Sequence, residues 1–153
     1  MSKFFKIVLL TGLFVGTTDI LSSYLTLYIQ YGKFPDMMYN YIAGGALGLQ
    51  RAIKGGTPVA LLGLFFHYFI AYAFTLFFFW VFPKLKFLSF NKYLVGMLYA
   101  IFVELVMAQL ILRLTPLPGG PFNLSHEYVG WIVFGVVFGI PIVYNTYKYY
   151  GVE

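Results

Sequence analysis

The sequence predicts an all-helical membrane protein, with four transmembrane helices and one short amphipathic, interfacial helix between the first and the second. Three observations predict it. Hydrophobic residues make up 61% of the 153 positions and charged residues only 10%, a balance that a water-soluble domain does not tolerate. The apolar residues gather into four runs, each long enough for the about 20 helical residues that cross a hydrocarbon core of roughly 30 Å. No soluble domain, low-complexity segment or internal repeat separates the runs, so residues 1–153 read as one helical bundle.

The first run extends from Phe4 to about Gln30. Its opening, Lys3 and Lys6 before apolar residues, is that of a secretory signal, but the run continues past Asp19 and offers no A-x-A cleavage site, so a retained helix is expected. The stretch from Lys33 to Thr57 is long enough for its own helix, begun at Pro35 and Asp36 and stopped by Gly55 and Gly56. Met38, Ile42, Ala46, Leu49 and Ile53 recur at helical spacing, with Asn40, Gln50, Arg51 and Lys54 largely on other faces. Such a helix lies on the membrane surface or tucks back into the bundle. The second run is Pro58 to Phe82, followed by a short basic turn from Pro83 to Asn91. The third is about Phe90 to Leu114. Thr115 to Ser125 carries Pro116, Pro118, Gly119, Gly120 and Pro121, which predict a stiff loop ended by Ser125 as a helix cap. The fourth run is Glu127 to about Tyr147, where Pro141 removes a backbone donor and predicts a kink after Gly135 and Gly139.

Four spans put both termini on one side. With the termini cytoplasmic, Lys3, Lys6, Lys84, Lys86, Lys92 and Lys148 fall inside, and Lys33, Arg51, Lys54 and Arg113 outside, which agrees with the bias of basic residues toward the cytoplasm. Tyr28, Tyr31 and Trp131 mark the outer boundary, and Trp80, Tyr144 and Tyr147 the inner one. The formal charge of +5 comes from few, scattered residues, which suits lipid headgroups and does not make a nucleic-acid footprint. With no cysteine, disulfides, thiolate metal sites, iron–sulfur clusters and cysteine nucleophiles are excluded.

Most charges sit in connections or at helix ends. Asp19, His67 and Glu104 do not: each lies well inside an apolar run, where a central charge costs about 2.5 to 3.5 kcal/mol on insertion scales. Counted from the outer ends of their helices at 1.5 Å per residue, all three fall roughly 14 to 16 Å deep, near mid-bilayer. Their helices carry small and polar residues at three- and four-residue spacing around them: Gly12, Gly16, Asp19, Ser23, Thr26; Gly63, His67, Ala71, Thr75; and Gly96, Ala100, Glu104, Ala108. Membrane helices approach one another along such stripes, so the ionisable groups are expected to point into the bundle or an oligomer interface. Together they can bind a cation, relay a proton, or hydrogen-bond the helices with no transport. Gln109 extends this polar column outward, and Arg113, His126 and Glu127 form its outer rim, where snorkelling or capping is the plainer role.

Other chemistries fit less well. A haem held by His67 and His126 would have one ligand deep and the other near the surface. Asp19, His67 and Glu104 have ligand types suited to zinc or non-haem iron, without an H-x-x-x-H spacing. Gly55-Gly56-Thr57 lacks the lysine of a phosphate loop. Ser22 and Ser23 lie within a turn of Asp19 but outside a G-x-S-x-G context. Neither an enzymatic activity nor a cofactor is expected.

Several stretches resemble an uncharacterised family of small bacterial inner-membrane proteins, the YagU-like proteins. They are Thr18-Asp19, Ile42-Ala43-Gly44-Gly45-Ala46-Leu47-Gly48, Gly63 through Ala71 (GLFFHYFIA), His126, and Gly139-Ile140-Pro141. Family members typically have I-A-S-G in the connection, where this chain has Gly44 in place of the serine. The resemblance implies a multi-spanning protein of the bacterial inner membrane and brings no activity, substrate or cofactor. The functional expectation is a small proton- or cation-handling channel or transporter, as a homo-oligomer or in a larger membrane complex. Its rivals are a non-transporting accessory subunit and, more remotely, a haem or quinone protein.

Overall fold

A computed structural model describes residues 2–117 and 124–152, with the backbone alone for Gln30 and residues 124–128. Every regular element among the described residues is helical. Four helices are long and apolar enough to cross a membrane: Lys3–Ile29, Gly56–Lys84, Lys92–Leu114 and Val129–Tyr150. The first lies in α1 (Lys3–Tyr31), and the second is α4 (Gly56–Val81) with a 3-10 turn. In the third, α5 (Lys92–Val106) continues through a π-helical turn, Met107–Ile111, into a 3-10 turn, Leu112–Leu114. The fourth is α6 (Leu124–Phe134), a π-helical turn at Gly135–Gly139, and α7 (Ile140–Tyr150).

The connection between the first two spans holds two short helices where the sequence suggests one. They are α2 (Met38–Leu47) and α3 (Leu49–Lys54). Gly48, at φ 81°, takes a backbone conformation that suits glycine and breaks the run. The buried face also differs from the expected one. Asn40, Ala43, Gly44 and Ala52 are buried, whereas Ala46 and Ile53 of the apolar stripe are exposed. The reason is polar: the Asn40 amide donates to the carbonyls of Ala52 and Gly56, at 2.9 and 3.1 Å. It thereby satisfies two acceptors where α3 ends and α4 begins.

Pairwise contacts give an up-and-down order. Gly12 meets the Tyr72 ring and Gly16 the Tyr68 ring, while Phe4 stacks edge-on to Phe79 at 6.0 Å, so α1 and α4 are antiparallel. Phe77 stacks on Phe102 at 5.9 Å, and the Tyr99 hydroxyl donates to the Phe74 carbonyl at 2.6 Å. Farther apart along the pair, Phe66 and Ile70 line a cavity with Met107 and Ile111, and Phe77 and Val81 line another with Val95 and Tyr99, so α4 and α5 are antiparallel too. Gly96 and Ala100 face Gly139 and Ile140, and Phe4 meets Tyr149 at 5.6 Å. Both ends of the chain thus share one end of the bundle. Much of the buried core lies there, around Phe78, Phe82, Val95, Tyr99, Ile142, Val143 and Tyr147.

Aromatic and basic side chains rim this end. The Lys84 ammonium lies 3.2 Å from the Trp80 ring centroid, and Lys92 5.4 Å from that of Tyr144, with both rings exposed as interfacial anchors. Tyr147, expected among these anchors, is buried instead, its hydroxyl donating to the Leu88 carbonyl. At the other end Tyr28 and Tyr31 are exposed, and Trp131 is half-buried. Thr115 and Leu117 pack beside Gly45 and Gly44. The rest of the expected stiff loop, residues 118–123, lies outside the described residues, as does the side chain of Ser125.

Pro141 sits just beyond the π turn. Lacking an N–H, it cannot serve the Val137 carbonyl four residues earlier, and the Thr18 hydroxyl of α1 reaches that oxygen at 2.9 Å, sharing its one proton with the carbonyls of Phe14 at 2.9 Å and Val15 at 3.2 Å. The Thr18→Val variant keeps the shape and removes the donor. We expect it to lower stability by about 1 kcal/mol, the scale of hydrogen bonds between membrane helices, as a lower melting temperature in detergent that Thr18→Ser restores.

Candidate functional site

Three residues per helical step decide what α1 presents to each neighbour. Gly16 faces α4: its missing side chain admits the Tyr68 ring, and its carbonyl accepts a 2.7 Å hydrogen bond from His67 Nε2. A carbonyl only accepts, so Nε2 carries the proton. Asp19, three residues on, is rotated about 60° from Gly16 around the helix and turns away from α4. Together with Ser22, Ser23 and Thr26 of α1 it lines a half-open cavity of about 280 Å³. Glu104 of α5 lines the same cavity, with Gly130, Val133 and Phe134 of α6 as the apolar wall. Asp19 and Glu104 are both half-buried.

The structure therefore brings together two of the three expected ionisable groups. His67, half-buried, is not on the cavity wall but lies against α1 about one turn away. Among the described residues, no group of three or more His, Asp or Glu side chains is placed to hold a metal ion, so the three-residue zinc or iron set does not form. Counting depth from helix ends gives a level but not an azimuth, and His67 and Asp19 lie on different sides of the α1 surface.

Gln109 does not extend the polar column either. It falls in the π turn of the third span, where the extra residue rotates the later part of the helix, and its side chain is exposed. Arg113 is exposed in the adjoining 3-10 turn. His126 and Glu127 fall in the first turn of α6, and their side chains lie outside the described residues. The haem pairing of His67 with His126 therefore rests on a side chain outside that description.

Ser22, set aside as a nucleophile, has its hydroxyl donating to the Asp19 main-chain carbonyl at 2.8 Å. It and the other two hydroxyls give the cavity oxygen donors beside the two carboxylates. Oxygen-rich sets of this kind suit protons and hard cations rather than soft metals. Both π turns adjoin the site: Met107–Ile111 starts three residues after Glu104, and Gly135–Gly139 directly follows Phe134. π turns often occur at functional sites, because they displace the residues beyond them from the regular helical face. The α6 wall was not foreseen from the sequence; its only signal was Gly130 among bulky residues.

No protein-family model matches the chain, and neither does any curated protein or solved structure.

Proposed function

We propose that this multi-pass membrane protein handles protons or small cations at the cavity shared by Asp19 and Glu104. One observation carries the reading: two carboxylates from separate spans line a single half-open cavity with three hydroxyl side chains, and an ionisable residue inside a span is costly to keep. His67 is assigned a positioning role, locking α1 to α4 through Gly16. The resemblance to the YagU-like proteins and the basic residues at the end shared by the termini support a bacterial inner membrane with cytoplasmic termini. The small-residue stripes are occupied within the chain, Gly12 and Gly16 by tyrosine rings and Gly96 by the fourth span. A homo-oligomer would therefore associate through the exposed aliphatic and aromatic faces.

The test is flux in proteoliposomes loaded with a pH-sensitive dye, under proton, Na⁺ and K⁺ gradients in both directions. Asp19→Asn and Glu104→Gln are each expected to cut flux at least about tenfold, the effect of losing roughly 1.4 kcal/mol at the site. His67→Phe should keep most of it if the protein stays monodisperse. Wild-type vesicles that leak no more than empty ones would overturn the reading, and co-purification with a larger complex would then favour an accessory subunit.

A further inference from the structure

On the opposite flank of α4 a second cavity has a different character. It holds about 430 Å³ and is almost wholly apolar. Ile42 and Ala46 of α2 roof it, Phe66 and Ile70 of α4 form one wall, and Met107 and Ile111 of the π turn form the other. It exists because α4 and α5, packed through Phe77 and Phe102 near the termini, are held apart here, with α2 bridging above. Phe65 and Phe69, also on its wall, are both 61% exposed, so the cleft opens sideways from the spans.

A void of this kind at span depth does not stay empty. Its lining forfeits dispersion contacts without atoms opposite, and an apolar cavity offers water no partners. The surrounding medium supplies acyl chains. The rim supplies a charge: Leu112 and Thr115 line the cleft, and Arg113 between them is exposed in the terminal turn of the third span. Arg51 and Lys54 stand in the last turn of α3, in the connection that roofs the cleft. A guanidinium binds phosphate oxygens in pairs.

We propose that this cleft is a lateral lipid site that holds one acyl chain of an anionic phospholipid, with its phosphate on Arg113. The π turn opens the cavity by displacing Met107 and Ile111, and α2 closes it from above. The site is independent of the carboxylate cavity, so either can fail alone.

The chain has two tryptophans, Trp80 and Trp131, so Phe66→Trp in a Trp80→Phe, Trp131→Phe background provides a single reporter. In phosphatidylcholine vesicles doped with acyl-brominated lipid, brominated phosphatidylglycerol is expected to quench it at roughly fivefold lower mole fraction than brominated phosphatidylcholine, the preference one basic side chain confers. Arg113→Gln should equalise the two lipids without removing quenching, and Ala46→Phe, which fills the cleft, should reduce quenching to that of a tryptophan on the open lipid face. Native mass spectrometry of the otherwise unchanged protein provides a second measurement: a retained phosphatidylglycerol adduct that Arg113→Gln loses. Equal quenching by both lipids with Arg113 in place, together with no retained adduct, overturns the proposal. So does a dimer that shields the reporter from both lipids, since a second copy would then cover the cleft.

Discussion

Replacing Gly63 with alanine is expected to lift α2 off the bundle. A Cβ at this position would stand 1.8 Å from the Tyr39 carbonyl oxygen and 2.6 Å from its carbon, with the Ala43 nitrogen at 3.2 Å. These are backbone atoms, which cannot swing aside as a rotamer does. Taken alone, glycine to alanine within a helix gains roughly 0.5–1 kcal/mol, so a net loss must come from the contact. Overpacking of this kind costs about 1–3 kcal/mol, and a rigid neighbour places Gly63 at the upper end. The absence of native cysteine gives a direct readout. Ala43 is fully buried at this contact, and an Ala43→Cys reporter should react slowly with maleimide beside Gly63. With Gly63→Ala added, a net loss of roughly 2 kcal/mol raises the labelling rate about 30-fold. Gly45→Ala is the control, since among the described residues its Cβ would meet Thr115 alone, at 3.5 Å. Equal labelling in all three backgrounds would show that α2 is not held by this approach.

Gly139→Ala should separate the third and fourth spans. Its Cβ would lie 2.1 Å from the Gly96 carbonyl oxygen and 3.0 Å from Ala100 Cβ. The reciprocal change, Gly96→Ala, would place a Cβ 2.7 Å from Ile140 Cα. The two backbones cross here, and close crossing is what small residues permit between membrane helices. We expect a loss of about 3 kcal/mol, seen as a fall in melting temperature in detergent. The flux assigned to the carboxylate cavity should fall with it, because Glu104 and the Val133–Phe134 wall stand on opposite sides of this crossing. Gly130→Ala supplies the contrast: among the described residues no atom outside its own helical turn lies within 4 Å of its Cβ, so it should leave the melting temperature unchanged or raise it through helix propensity. If Gly139→Ala and Gly130→Ala behaved alike, the crossing would not be the constraint.

The spans were legible because crossing a hydrocarbon core needs a length and an apolarity that composition records residue by residue. Their observed limits differ from the expected ones by a few residues, as at Gly56 against Pro58. Gly96 and Ala100 were legible as contact positions because small size is itself the signal. Of the α1 stripe, Gly12 and Gly16 are buried, though they receive Tyr72 and Tyr68 rings rather than a helix backbone, while Asp19, Ser23 and Thr26 are half-buried. In the connection the periodicity misled: Asn40 falls off the apolar stripe, yet it is the residue that ties α2 to α3 and α4. A buried amide that caps carbonyls looks the same in sequence as one facing water.

Sequence alone determined that the chain is an all-helical protein with four apolar spans, that Asp19, His67 and Glu104 lie inside them, and that Pro141 interrupts the fourth. Each is a property of one segment and its solvent. Only the tertiary structure decided which groups share a neighbourhood: Asp19 and Glu104 line one cavity, His67 bonds the Gly16 carbonyl, and Thr18 reaches the carbonyl that Pro141 leaves without its helical donor. Partners depend on the azimuth of each helix against its neighbours. That angle is set by packing of side chains from several spans at once, and π turns at Met107–Ile111 and Gly135–Gly139 reset it midway.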